Sequence, residues 1–142
     1  MIAFILLVLV NIWIFRRIRE PREFAEVKEK YQILREHLIE TNHEKFHMLK
    51  RHLPITGFNR MSETVGYNTN KGGEIVICLG GTANEIFHVL IHELAHCTVR
   101  EYSHSPQFWK NYIELRDLCE KLGIYERIPD RTDFCGQHIQ DK

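Results

Sequence analysis

The first stretch of the chain is apolar on every side and is followed directly by positive charge. Positions 2–15 are apolar except for Asn11, which does not match the one-sided apolar face of a surface helix. The positive residues that follow are Arg16, Arg17 and Arg19. A cleaved signal peptide carries its charge before the apolar run, so this order predicts an uncleaved membrane anchor at positions 1–19, with its arginines on the cytoplasmic side.

The predicted anchor is short, because a bilayer core requires about 20 helical residues. Met1 and Ile18 would have to extend the apolar run. The alternative is a buried N-terminal helix of a soluble domain, but an apolar run without a polar face does not resemble the amphipathic helices at the surface of such a domain. We therefore expect a single-pass membrane protein whose residues 20–142 form a cytoplasmic domain.

An amphipathic helix is predicted next, beginning near Pro21, a residue that suits the first turn of a helix. Its apolar positions recur at helical spacing and are Phe24, Val27, Tyr31, Leu34 and Leu38. The charged residues between them indicate a solvent-exposed opposite face. Thr41 and Glu44 have the spacing of a capping box and predict a second, short helix, which Pro54 and Gly57 would end.

The pattern changes to that of β-strands in the middle of the chain. Positions 64–67 and 74–79 are rich in β-branched and apolar residues. Positions 70–73, with the sequence Asn-Lys-Gly-Gly, form a typical turn between them, so we expect a β-hairpin. The glycine pair at positions 80–81 ends the second strand.

A helix with a single polar stripe is predicted from Thr82 to about Val99, and it begins with another capping-box spacing. The polar stripe consists of Glu85, His88, His92 and His96. Most other positions are apolar, so the helix is expected to be buried and its stripe to line an internal cleft. The strand at positions 74–79 is expected to border this cleft, where a free edge can bind an extended peptide by β-addition.

Within that stripe, His92, Glu93 and His96 belong to the motif His-Glu-Leu-Ala-His. Histidines four residues apart lie one helical turn apart on the same face, so both imidazoles can bind one metal ion. The glutamate between them points away from that ion but can hold a water molecule bound to it. Two ligands, a general base and an open coordination position are the requirements of a zinc hydrolase.

A catalytic zinc site needs a third protein ligand, and His104 is the predicted one. It follows the helix after a short loop, and the Ser-Pro pair after it predicts the start of the next helix. His88 is excluded because it lies two turns, about 11 Å, from His96 along the helix axis. Glu114, the competing candidate, falls on the solvent-facing side of the next helix.

Composition and charge narrow the function only a little. The chain has 142 residues, 44% of them hydrophobic, which is enough for one small domain beside the N-terminal segment. The formal net charge is zero, so a nucleic-acid partner is not expected. The cysteines lack metal-site spacing and are expected to be free thiols in a reducing compartment. They are Cys78, Cys97, Cys119 and Cys135.

Three segments carry a family resemblance, and they are Asn70 to Leu79, the motif from His92 to His96, and His104 with Phe108-Trp109. Together they resemble the WLM metalloproteases, relatives of the SprT and Spartan proteases, over positions 64–122. The resemblance implies an α+β, zincin-like fold in which a small antiparallel sheet packs on the motif helix and its flanking helices. It also implies zinc held by His92, His96 and His104, with Glu93 as general base and Phe108 beneath the third ligand. Small members of this kind occur in large DNA viruses.

We therefore expect a membrane-tethered zinc endopeptidase that cleaves protein or peptide substrates near the membrane. One alternative is a protease that acts on protein crosslinked to DNA, as nuclear relatives do. A second is a scaffold protein that keeps zinc for stability, which Glu93 argues against because a structural site needs no base. The residue that stabilises the oxyanion is left open among Tyr102, Tyr112 and Tyr125, and no pattern indicates an oligomeric state.

Overall fold

The computed structural model describes residues 1–59 and 64–142. Its helices are α1 (Ile2–Ile18), α2 (Arg22–Glu40), α3 (Ala83–His96) and α4 (Pro106–Lys121), with a 3-10 helix at His47–Lys50. Its strands are β1 (Ile55–Phe58), β2 (Gly66–Thr69), β3 (Glu74–Cys78), β4 (Thr132–Phe134) and β5 (Gln137–Ile139). The predicted α+β class is confirmed.

The predicted hairpin in the middle of the chain is also confirmed. β2 and β3 pair antiparallel, with Gly66 opposite Ile77 and Thr69 opposite Glu74. The turn between them places Asn70 and the next residue in the left-handed region, with φ angles of 51° and 53°. Asparagine tolerates this conformation better than most residues, which is one reason why the turn forms at this point of the sequence.

The sheet is mixed, not antiparallel as expected, because it contains a further strand. β1 pairs parallel with β3, so β3 is central and the order is β1-β3-β2. The sequence pattern missed β1 because Pro54 and Gly57 are typical of helix ends as well as of edge strands. The short helix predicted from Thr41 is reduced to the 3-10 helix His47–Lys50.

The position of β3 corrects a second expectation. Its two edges are paired with β1 and β2, so β3 has no free edge to offer to an extended peptide. Within the described part of the sheet, β1 and β2 are the edge strands, and β2 is the one that lines the cleft. The strand next to the cleft is therefore the one before β3 in the chain.

Helix α3 lies at the centre of the domain, in contact with α2, α4, β2 and β3. The apolar face predicted for α2 is buried as expected, and the Tyr31 hydroxyl accepts the Leu53 amide N–H at 3.0 Å. Most residues of α3 are buried, including Ile86, Phe87 and Leu90. Of its polar stripe, His88, His92 and His96 line the cleft, whereas the Glu85 carboxylate is used at the start of the helix.

Helix α1 has no buried residue in the part of the chain that the structure describes. No helix within residues 1–59 and 64–142 is long and apolar enough to cross a membrane. The membrane-spanning helix predicted over residues 1–19 is therefore not supported by the structure.

The expectation of four free thiols is wrong, because Cys78 and Cys135 form a disulfide. Cys78 ends β3, and Cys135 lies in the turn between β4 and β5, where its φ of 49° is left-handed. This turn brings the end of the chain back to the sheet. Cys97 and Cys119 are free thiols. Because two of the four cysteines are paired, they no longer argue for a reducing compartment.

Candidate metal centre

The start of α3 is fixed by the capping box that the sequence predicted. The Thr82 hydroxyl accepts the Glu85 N–H at 3.2 Å, and the Glu85 carboxylate accepts the Thr82 N–H at 2.9 Å. These reciprocal bonds satisfy two of the N–H groups that a helix start leaves unpaired. They fix the residue at which α3 begins.

The structure brings His92, His96 and His104 together. The Nε2 atom of His104 lies 3.0 Å from Nε2 of His92 and 3.2 Å from Nε2 of His96. A tetrahedral ion with ~2.1 Å bonds to nitrogen would separate its ligand atoms by ~3.4 Å. One ligand atom from each histidine lies within 4.8 Å of the others, so the three side chains can hold one metal ion.

The third histidine is placed by the way α4 begins. Ser105 caps the helix by accepting the Phe108 N–H at 3.1 Å, and Pro106 occupies the first turn. The chain therefore turns back immediately after His104. Phe108 packs against the triad, its ring centroid 4.4 Å from that of His96 and 4.9 Å from that of His104, which agrees with the packing that the family resemblance implied.

Burial controls the charge of the site. Burial, followed by the neighbouring imidazoles, lowers the pKa of His92 to about 3. Burial, followed by the charges of His104 and Lys71, lowers the pKa of His96 to about 4. Both rings are therefore neutral near pH 7 and have a lone pair for a metal. Glu93 is 6% exposed, and burial raises its pKa to about 7.

Two residues of the hairpin, which the sequence analysis did not single out, hold the end of α3. The Asn68 amide donates to the Glu93 carbonyl at 3.0 Å, and its oxygen accepts the Gly72 N–H at 2.6 Å. Lys71 Nζ donates to the His96 carbonyl at 3.1 Å and also to the carbonyl of residue 101. The turn therefore ties the motif to the loop before His104. The only sequence signal for this role was the turn itself.

The residues rejected as ligands are engaged elsewhere. His88 Nδ1 lies 2.9 Å from the Tyr125 hydroxyl. The Glu114 side chain is 42% exposed and pairs with Lys45 at 2.5 Å. Both observations agree with the interpretation of these residues from the sequence.

The three tyrosines considered for the oxyanion differ in their surroundings. The hydroxyls of Tyr112 and Tyr125 are donated to Asp141, so neither is free to donate to a substrate. Tyr102 is 76% exposed and lines the cleft. Of the three candidates, Tyr102 is the one whose hydroxyl is open to a ligand.

The triad and Glu93 lie in a cleft of about 530 Å³. One part of its lining comes from the β2 segment, including Val65, Gly66 and Tyr67. A further part comes from positions 138–140, close to the end of the chain. This volume falls in the range of ligand-binding clefts, and its polar groups converge on the histidines.

Comparison with known proteins identifies the family to which this arrangement belongs. The model of the WLM domain matches residues 33–140, most of the chain and all of the metal centre. The chain belongs to the WLM family. WLM proteins are a SprT-like metalloprotease family and are in general zinc-dependent, which agrees with the histidine triad.

A viral protein is similar to part of the chain. An uncharacterised protein of Acanthamoeba polyphaga mimivirus is 32% identical over 85 residues, which cover 53% of this chain and 43% of the viral protein. The chain thus spans less than half the length of that relative, and the match supports the predicted resemblance to virus-type members. No solved structure matches the chain.

Proposed function

We propose that this WLM protein is a zinc-dependent metalloendopeptidase in which His92, His96 and His104 hold the metal and Glu93 is the general base. The observation that supports it most is the convergence of three imidazoles beside a buried carboxylate. When bound, zinc supplies a Lewis acid for the peptide carbonyl and activates water. The side chains present are those that zinc prefers in catalytic sites.

Glu93 has the properties that a general acid–base group requires. Its carboxylate is buried, and burial raises its pKa to about 7, close to the pH at which it would have to accept and release a proton. Its backbone carbonyl is held by Asn68, which limits movement of this turn of α3. Glu93 would take a proton from water and deliver it to the leaving amine.

The number of ligands favours a catalytic site over a structural one. Within the two ranges described, the group of side chains that could hold one ion consists of His92, His96 and His104. Structural zinc sites are closed by a fourth protein ligand, whereas catalytic sites keep that position for water or substrate. The open cleft above the triad supports a peptidase over a silent scaffold.

We further propose that an extended peptide binds along β2. This strand is at the edge of the sheet and lines the cleft, so its backbone can add a strand from the substrate. The strand passes close to the base: a Cβ at Gly66 would lie 3.5 Å from a Glu93 carboxylate oxygen and 2.7 Å from Val89. Glycine at this position lets the backbone approach the catalytic group.

The proposal is tested with the purified protein by metal analysis and by hydrolysis of denatured, fluorescein-labelled casein. We expect about one zinc per chain and release of labelled peptides, because the site has three ligands and an adjacent base. Stoichiometric zinc without any hydrolysis would support the scaffold alternative. Hydrolysis without bound metal would exclude the triad as its cause.

We also propose that α1 tethers the domain to a membrane. Its apolar side chains are exposed to solvent in the described structure; Phe4, Leu7 and Phe15, for example, are at least 60% exposed. Continuous apolar surface of this extent is unfavourable in water and favourable in a bilayer. Arg16 and Arg17 in the last turn can contact anionic headgroups. The tether would bring the peptidase close to membrane-associated protein substrates.

The tether gives a fractionation prediction. Full-length protein is expected to sediment with membranes at alkaline pH, whereas a variant lacking residues 1–19 should be soluble with unchanged zinc content and casein hydrolysis. The arginines favour the cytoplasmic side, so proteases should digest the domain only from that side of sealed vesicles. Recovery of full-length protein in the soluble fraction would contradict the tether. Digestion from the opposite face would contradict the orientation.

A further inference from the structure

Strand β5 and the residue that follows it form part of the cleft, although they are distant from the motif in sequence. His138, Ile139 and Gln140 line the same cavity as His92 and Glu93. We call these three residues the tail wall. The His138 side chain is 47% exposed, so the tail wall offers groups that a ligand in the cleft can contact.

The tail wall is held by a carboxylate that is removed from solvent. The Asp141 side chain is only 1% exposed. Its Oδ1 accepts the Tyr112 hydroxyl, and its Oδ2 accepts the Tyr125 hydroxyl and, at 2.7 Å, the Ile128 N–H. The Asp141 amide in turn donates to the Ile128 carbonyl at 2.8 Å. Both the backbone and the side chain of Asp141 are therefore fixed.

These contacts keep the carboxylate ionised in a buried place. Burial alone would raise the pKa of Asp141, but the hydrogen bonds from His88, Tyr112, Tyr125 and Ile128 together lower it. Hydrogen bonds to an ionised acceptor are stronger than those between neutral groups. Loss of the charge would therefore weaken several contacts at once.

His88 connects this carboxylate to the helix of the metal centre. Its Nδ1 lies 2.9 Å from the Tyr125 oxygen and 3.5 Å from Asp141 Oδ1. Because the Tyr125 proton is donated to Asp141, the Tyr125 oxygen accepts, and His88 Nδ1 carries a hydrogen. His88 lies one turn before His92 on α3, so the tail is bound to the element that carries two predicted ligands.

The residue after Asp141 is anchored as well. Arg116, itself buried, donates to the Lys142 carbonyl. The Lys142 ammonium lies 4.2 Å from the centroid of the Trp109 ring, a cation–π contact. Trp109 lines the cleft, and its ring is 5.6 Å from that of His104. The tail therefore contacts α4 as well as α3 on this side of the site.

We propose that Asp141 is a positioning residue that fixes the tail wall as a substrate-binding surface of the cleft. The inference rests on the proposed peptidase function but concerns the binding of the peptide, not its hydrolysis. Contacts to parts of a substrate away from the scissile bond contribute binding energy, and the tail wall is placed to make them. Release of Asp141 would leave the triad in place and remove this surface.

The test uses full-length protein carrying Glu93→Gln, which is designed to bind peptide without cleaving it. Affinity for denatured, fluorescein-labelled casein is measured by fluorescence anisotropy, and hydrogen exchange reports on the amides of residues 137–142. Adding Asp141→Asn keeps the shape of the side chain and removes its charge. We expect the Kd for casein to rise about tenfold, the size of effect that loss of hydrogen bonds to a charged group has. Hydrogen exchange at residues 137–142 should become faster, and the zinc content should not change.

Asp130→Asn is the matched control, because it makes the same substitution at an exposed position of the same tail. It should change neither the Kd nor the exchange rates. Tyr125→Phe is a milder variant that removes one donor to Asp141 and leaves the ring packed near Phe87, at 6.2 Å between centroids. It should shift both readouts less than Asp141→Asn, and the two changes combined should be less than additive.

Each other outcome has a definite meaning. Faster exchange with unchanged casein affinity would overturn the binding role, and unchanged exchange would overturn the anchoring role of Asp141. Absence of casein binding by the Glu93→Gln protein alone would also overturn the tail wall as a substrate surface. If Asp141→Asn weakens binding but the protein with intact Glu93 cleaves no casein, the tail wall stands and the proposed peptidase function fails.

Discussion

Glu93→Gln is expected to lower the rate of casein hydrolysis at least ~10²-fold, because general-base assistance contributes about 10²–10⁴. Glutamine has nearly the same size but cannot accept the proton. Glu93 lies outside the histidine triad, so zinc content and thermal stability should stay close to those of the wild type. The measurements are kcat on labelled casein, zinc per chain and the melting temperature.

Glu85→Gln is the matched control for this substitution on the same helix. Glu85 accepts the Thr82 N–H in the capping box, and glutamine can do the same, so hydrolysis should be unchanged. Full activity of Glu93→Gln would show that another group is the base. Loss of zinc together with activity would show that Glu93 is a metal ligand or is required for the stability of the fold.

His104→Ala is expected to remove most of the zinc during dialysis and to lower the melting temperature of the zinc-loaded protein. The reason is that His104 lies between the other two candidates, at 3.0 Å from His92 and 3.2 Å from His96. Losing one of three ligands opens the site, and metal affinity adds to folding stability. Zinc per chain and thermal unfolding with and without added zinc measure both effects.

Glu114→Ala tests whether Glu114, the competing candidate, is the third metal ligand in place of His104. Glu114 pairs with Lys45 and is 42% exposed, so its removal should leave zinc binding unchanged and cost little stability. The opposite pair of results, with zinc lost in Glu114→Ala and kept in His104→Ala, would reject the proposed ligand set.

The features predicted correctly are those that depend on the types of residue close together in the sequence. The spacing of apolar positions located α2 and α3, and the turn sequence at positions 70–73 located the hairpin. The motif spacing on α3 and the helix start after His104 were sufficient to predict that three histidines would meet. Each of these signals acts over one helical turn or one tight turn, where backbone geometry follows from residue type.

The features that could not be predicted depend on contacts between distant positions. Asp141 is a single aspartate in a tail without regular pattern, yet its hydroxyl donors lie 16 and 29 residues earlier in the chain. Cys78 and Cys135 are separated by 57 residues, and spacing alone gives no pairing rule. β1 pairs with β3, about 20 residues later in the chain, and its local sequence, with Pro54 before it and Gly57 inside it, is equally typical of a helix end.

The disulfide encloses the candidate metal ligands and Glu93 in one covalent ring of chain. His92, Glu93, His96 and His104 all lie between Cys78 and Cys135. A peptidase at high concentration is exposed to its own activity, and loops such as the one before His104 are the positions where chains are nicked most easily. A single cut anywhere in the ring would leave both pieces joined, so the ligands supplied from either side of the cut would stay on one molecule.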